Sequence, residues 1–263
     1  KPLWTIDLRA VPSSFRTHTG SLRSTAMAGK LCVVIGVGPG IGGCCARKFA
    51  QEGYQVAVTA RTQEKVDQWA ADIGGRGYAY DCSDAAATSE ALKKIRADFG
   101  QPVHTLIYNA GAGAFQSFDD TTPETFETCW KTNSQGLFVH AKEVAEEMKA
   151  NGGVIAVTGA TASWRGMPAT SAFAPAKAAQ RLLCQSLARE LGPKGVHVFM
   201  VVIDGFVDLP GTRSRMPNKP DSEWLSPAAI ADTYFAVASQ PASCWTTEIN
   251  VVPGAVMGTM ATI

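Results

Sequence analysis

The chain has 263 residues, an apolar share of 46%, a charged share of 18% and a formal net charge of +1. That length fits one large domain with a substantial core, and the composition is that of an ordinary globular protein. A charge so close to zero leaves no electrostatic footprint for nucleic acid or anionic lipid, and no apolar run approaches the roughly 18–20 residues that cross a bilayer.

The first thirty residues stand apart. They carry Lys1, Arg9, Arg16, Arg23 and Lys30 against one acid, Asp7, with eight Ser or Thr interleaved. Such an Arg-rich, Ser-rich, acid-poor stretch is expected of an organellar transit peptide or its retained remainder, in a mitochondrion or a plastid. Met27 would be a natural start just before the first strand. The alternative is an uncleaved arm lying on the surface or on a partner, in a cytoplasmic protein. A single domain is expected over 31–263.

From residue 31 short apolar runs alternate with helical periodicity. Leu31–Ile35 reads as a strand ending in glycines, and Ile41, Cys45 and Phe49 recur every four residues of a helix over 40–52. Strands follow at 55–60, 77–80 and 103–108, with helices at 63–73 and, behind Asp84 as a cap, up to Phe99. Pro123 opens a helix that runs towards Ala150 with a break near Gly136. Strand 154–158 precedes a long helix, 172–191, with Leu182, Leu183, Ser186 and Leu187 expected inward. Strand 196–203 is the most apolar. A Pro- and Arg-rich irregular stretch covers 206–225. Ser226-Pro227 opens the last helix, and 248–252 closes the set. Strands separated by helices of this length imply βαβ units and a parallel sheet covered on both faces.

Seven scattered cysteines with no C-x-x-C pair give neither a disulfide framework nor a zinc pattern, so buried reduced thiols are expected. His18, His104, His140 and His197 form no ligand pair and are expected to be structural.

After the first strand come Gly36, Gly38, Gly40, Gly42 and Gly43. Two framings fit, G-x-x-x-G-x-G on Gly36, Gly40 and Gly42, and G-x-G-x-x-G on Gly38, Gly40 and Gly43. Either makes a tight turn, brings backbone N–H groups near a pyrophosphate and aims a helix N-terminus at its charge. Other pieces fall into step with the first framing. They are Asp81 in Tyr80-Asp81-Cys82, the run Tyr108-Asn109-Ala110-Gly111, Asn133 within a helix, and Lys177.

Together these motifs resemble the short-chain dehydrogenase/reductase family over roughly residues 31–252, with Ile35 where that family usually has Thr. The resemblance implies an α/β, doubly wound Rossmann-like fold with a seven-stranded parallel sheet. It implies a dinucleotide held by Gly36, Gly40, Ile41, Gly42, Asp81, Cys82, Asn109, Ala110, Gly111, Lys177 and Gly205. It also implies a homo-oligomer built on helices around 123–150 and 172–191; docking into a larger organellar assembly is the alternative. The second strand ends in Ala60-Arg61, where an NAD enzyme places an acid for the ribose hydroxyl. A guanidinium there suits a 2′-phosphate, so NADP(H) is expected over NAD(H).

In that family a Tyr moves the substrate proton, a Lys four residues on supports it, a Ser some thirteen residues earlier contacts the substrate oxygen, and a mid-helix Asn orders a relay water. Here those positions hold Phe173, Lys177, Ala160 and Asn133. Positioned proton transfer contributes about 10²–10⁴-fold and one oxyanion donor about 10²–10³-fold, so both losses should slow carbonyl reduction by several powers of ten. Thr161 or Asp204 could take over the relay, with Thr158, Ser163 and Ser171 as further hydroxyls, and Lys177 could act as an acid if desolvated. The runs at 158–163 and 202–205 with Phe173 resemble a divergent branch of the family carrying the same Phe, oxidoreductases of undefined substrate. Two readings stand: an accessory or structural NADP(H)-binding subunit with a lapsed centre, and an oxidoreductase with a displaced relay.

Overall fold

A computed structural model describes residues 29–259. The basic segment expected over 1–30, His18 with it, lies outside the described residues apart from Gly29 and Lys30.

The strands are β1 (Leu31–Ile35), β2 (Gln55–Ala60), β3 (Arg76–Ala79), β4 (Val103–Tyr108), β5 (Gly153–Thr158), β6 (Val196–Ile203), two short pieces β7 (Phe206–Val207) and β8 (Trp224–Leu225), and β9 (Glu248–Val251). Between them run α1 (Ile41–Gln51), α2 (Gln63–Ile73), α3 (Ala85–Phe99), α4 (Pro123–Trp130), α5 (Gly136–Asn151), α6 (Phe173–Leu191), α7 (Pro210–Arg213) and α8 (Pro227–Ala238). Seven strands form one parallel sheet in the order β3-β2-β1-β4-β5-β6-β9. This is the expected Rossmann-like architecture.

The pleat explains the two cores. Alternate residues of each strand face opposite sides. Cys32, Val34, Val56, Val58 and Phe199 pack with Phe49, Val66 and Tyr234 from α1, α2 and α8. Leu31, Val33, Leu106, Val198 and Met200 pack with Leu92, Val144, Met148 and Cys184 from α3, α5 and α6. A sheet covered on both sides needs unbroken apolar strands, and β1 and β6 are buried at every position.

Helix starts follow their caps. Asp84 accepts from Ala86 N and Ala87 N at 2.9 and 3.1 Å, Thr122 from Thr125 N at 3.2 Å, and Ser226 from Ala229 N at 3.3 Å. The break expected near Gly136 is a π turn, Lys131–Gln135, that joins α4 to α5.

Three expectations need correction. The third strand sits one residue earlier, at 76–79. In α6 the inward face is Ala176, Lys177, Gln180, Cys184 and Leu191, while Leu182 and Ser186 are exposed. Leu183 and Leu187 do pack against the core, but most of the deepest positions are small or polar, so a reading led by leucines wrongly takes in Leu182. The stretch 206–225 is folded: β7 pairs with β8, and Arg213 chelates Asp208 at 2.5 and 2.9 Å while reaching Asp221 at 2.6 Å. Lys219 pairs with Glu223 at 2.7 Å. Arg213 and Lys219 are thus held inside their own segment.

Candidate active site

The chain runs outward from β1 to β3 and then restarts at β4 on the other side of β1. At such a switch point no crossover covers the carboxyl ends of the strands, and a crevice opens there. A cleft of about 560 Å³ occupies it, lined among others by Gly36, Val37, Arg61, Thr62, Lys65, Asp81, Cys82, Asn109, Ala110 and Gly111.

The floor is made by close approach. Gly36 has φ +88°, and a Cβ on it would stand 2.8 Å from Ala110 Cα. Only glycine serves both demands. A Cβ on Gly42 would stand 2.4 Å from Gly36 O, and one on Gly43 2.3 Å from Gly38 O. Asn109 ties the turn to β5: its Nδ2 donates to Gly36 O at 2.8 Å, and its Oδ1 accepts from Thr158 Oγ1 at 2.9 Å. Gly36, Gly42 and Gly43 are therefore held by packing, while a Cβ on Gly38 would meet nothing within 4 Å. The structure places Gly42 beneath the turn. Leu209 packs over Gly40, with Cδ1 3.2 Å from where its Cβ would be, and Gly205 packs against Pro253 and Leu225. Gly40, Ile41, Gly42, Lys177 and Gly205 lie outside the cleft's lining.

One end of the cleft is cationic. Arg61 follows β2, and Lys65 stands in the first turn of α2. Lys65 escaped the sequence reading. The signal was its position, since a cation in a first helical turn opposes the helix dipole and asks for another reason. Asp81 accepts from Ser83 N at 2.9 Å and from Ser83 Oγ at 2.7 Å. The backbone N–H of Ser83, chiefly, holds its carboxyl below the usual range, with help from the Ser83 hydroxyl and the Arg61 charge.

Behind the cleft lies a buried polar chain. Lys177 Nζ donates to Thr158 O and to Gln180 Oε1, both at 2.9 Å, and Gln180 Nε2 donates to Asn133 O at 2.9 Å. Burial pushes the Lys177 ammonium down to about 8, so the desolvation that acid chemistry at this lysine requires is present. Asn133 sits in the π turn, its Nδ2 donating to Ala112 O and Cys129 O at 2.9 and 2.8 Å. Its Oδ1 is buried without a partner, 3.2 Å from where a Gly111 Cβ would stand.

The remaining hydroxyls are all engaged. Thr158 Oγ1 is 2.7 Å from Tyr234 OH as well as bonded to Asn109. Ser163 Oγ donates to Ala160 O at 2.7 Å, and Ser171 Oγ meets Thr121 Oγ1 at 3.1 Å. Thr161 Oγ1 donates to Asp204 Oδ1 at 2.8 Å. The two residues considered singly as relays thus form one pair, and Asp204 Oδ2 is buried with no partner. Phe173 begins α6 where a proton donor was sought. Its ring lies 5.2 Å from that of Phe115, and Lys177 Nζ is 5.9 Å from its centroid.

The described histidines are structural. His140 Nδ1 donates to Gly136 O at 2.7 Å and its Nε2 takes the Tyr80 hydroxyl at 2.9 Å. All seven cysteines are free thiols. No helix among the described residues is long and apolar enough to cross a membrane.

Comparison with known proteins accords with this geometry. A family model described as short chain dehydrogenase matches residues 30–219. A 3alpha-hydroxysteroid dehydrogenase of Mediterraneibacter gnavus is 30% identical over 241 residues, covering 86% of this chain and 96% of that protein. A short-chain dehydrogenase structure from Rhodopseudomonas palustris superposes with TM-score 0.73 at 35% identity, covering 85% and 98% of the two chains. An alcohol dehydrogenase from Thermococcus sibiricus, complexed with 5-hydroxy-NADP, superposes with TM-score 0.76 at 26% identity, covering 86% and 97%. With the sheet order, the switch-point cleft and the matched span all in agreement, the chain belongs to the short-chain dehydrogenase/reductase family of oxidoreductases.

Proposed function

We propose that the chain binds NADP(H) in preference to NAD(H), and that ordinary carbonyl reduction at its centre is slow. The observation that carries the preference is the cationic end of the cleft, where Arg61 and Lys65 stand and no acid follows β2. The residues present fit a dinucleotide. Gly36 leaves no room for a side chain against Ala110, and Asn133 keeps a buried acceptor free beside Gly111. When bound, the nicotinamide supplies or accepts a hydride. The protein's part is to hold the ribose and phosphates, and Arg61 and Lys65 would meet a 2′-phosphate. The 5-hydroxy-NADP complex of the Thermococcus sibiricus relative supports the same choice. Titration calorimetry tests it: NADPH should bind at least ten-fold tighter than NADH, and Arg61→Ala should erase most of the difference. Equal or tighter NADH binding overturns the preference.

Slow chemistry follows from Phe173 and Ala160, which put a hydrocarbon ring and a methyl group where the family pattern has hydroxyls. A second reading, an oxidoreductase with a displaced relay, is favoured by one observation. Thr161 Oγ1 and Asp204 Oδ1 are 2.8 Å apart, and Asp204 Oδ2 is left free of protein partners. Both residues stand at the carboxyl ends of strands, after β5 and β6. Self-association belongs to either reading. Phe126, Trp130, Phe138 and Leu182 are exposed on α4, α5 and α6, and large apolar side chains gathered on neighbouring helices mark a contact surface.

A further inference from the structure

Gln180 is a buried amide with no part in the motifs above. It is fully buried on the face of α6 that otherwise presents Ala176 and Cys184. A glutamine in such a place costs free energy unless both ends of its amide are satisfied. Both are. Lys177 Nζ can only donate, and Asn133 O can only accept, so the amide orientation follows from chemistry: Oε1 to the lysine, Nε2 to the carbonyl.

We propose that Gln180 is a positioning residue, whose carboxamide fixes the Lys177 ammonium against the main chain of the π turn and sets how many of its protons remain for a ligand. An ammonium has three donors. Thr158 O takes one and Gln180 Oε1 a second, which leaves one to point at whatever binds. The bridge is fixed as well as polar. Water in the same place could exchange protons with the lysine; a carboxamide held at both ends hands none on. Around the ammonium lie Thr158 O from β5, the Gln180 amide and the Phe173 ring from α6. Burial is the cause of its shift, with no neighbouring charge contributing. The neutral amide is therefore the group through which the lysine's protonation can be tuned.

This goes beyond nucleotide binding and does not depend on it. The test uses the full chain without nucleotide, carrying lysine labelled with ¹³C at Cε, with Lys177→Met to assign the signal. In the wild type the Lys177 resonance should titrate near 8. Gln180→Met keeps the volume and removes the acceptor, and the titration should move down by about 1–2 pH units. Gln180→Glu puts a carboxylate beside the ammonium, and the titration should move up. If Gln180→Met does not fold, the near-isosteric Gln180→Glu still decides the matter. A folded variant whose Lys177 titrates as in the wild type overturns the proposal. A merely structural role for Gln180 would change stability in both variants without moving the lysine in opposite directions.

Discussion

At Phe173 a single atom separates two chemistries. The ring stands where a phenol would carry a proton, with Lys177 Nζ 5.9 Å from its centroid. Phe173→Tyr restores the hydroxyl and Ala160→Ser the oxygen contact. NADPH-dependent reduction of a panel of ketones and aldehydes separates the two readings of this centre. A lapsed centre predicts a rise of at least about 100-fold in kcat/KM for the double variant and no effect of Asp204→Asn. A displaced relay predicts measurable wild-type turnover that Asp204→Asn abolishes. The sequence made the lost groups legible because it names the residue at each motif position. It could not show that Thr161 and Asp204 meet, since 43 positions separate them. Gln180 was illegible for another reason. A buried polar residue is recognised by its partners, and these come from α6 and the π turn.

At the scale of elements, periodicity and caps located the helices well. Asp84, Pro123 and Ser226 mark starts to the residue, because capping is local chemistry. The phase of α6 was not local: its inward face is set by the π turn and β5, which take Lys177 and Gln180 and leave Leu182 outside. Gly136, just after the π turn, has no room for a side chain. A Cβ there would stand 2.1 Å from Tyr108 OH, which donates to Thr132 O at 2.5 Å. Gly136→Ala should destabilise the fold by roughly 1–3 kcal/mol, although alanine is the better helix former by about 1 kcal/mol. Adding Tyr108→Phe removes the nearer clashing oxygen and leaves Cys82 O, 2.8 Å from the Cβ position. Chemical denaturation of the four forms should give a double-mutant cycle with a favourable coupling of at least about 0.5 kcal/mol. Strict additivity would show that the hydroxyl is not what excludes the methyl.

For the whole molecule, buried imidazoles make stability depend on pH. Burial pushes His104 and His140 each down to about 4 from an ordinary value of 6.5. Between those values the unfolded chain binds protons that the folded chain does not, so stability is intact above pH 6.5 and declines as pH falls. Each histidine should contribute a slope approaching 1.4 kcal/mol per pH unit. Urea denaturation from pH 6.5 to 5 reads it. A flat profile there would refute the assignment, and His140→Gln should reduce the slope. The sheet order and the two-faced core followed from the alternation of apolar runs and helices. The structure of residues 206–225 did not, because ion pairs such as Arg213 with Asp208 and Asp221 replace the hydrophobic periodicity on which such reading depends.

That segment has a mechanical consequence. Leu209 presses on Gly40 at the start of α1, while the pairing of β7 with β8 and the Arg213 and Lys219 ion pairs brace the segment internally. The segment is thus held at two places, by Leu209 against the glycine turn and by the pairing of β7 with β8.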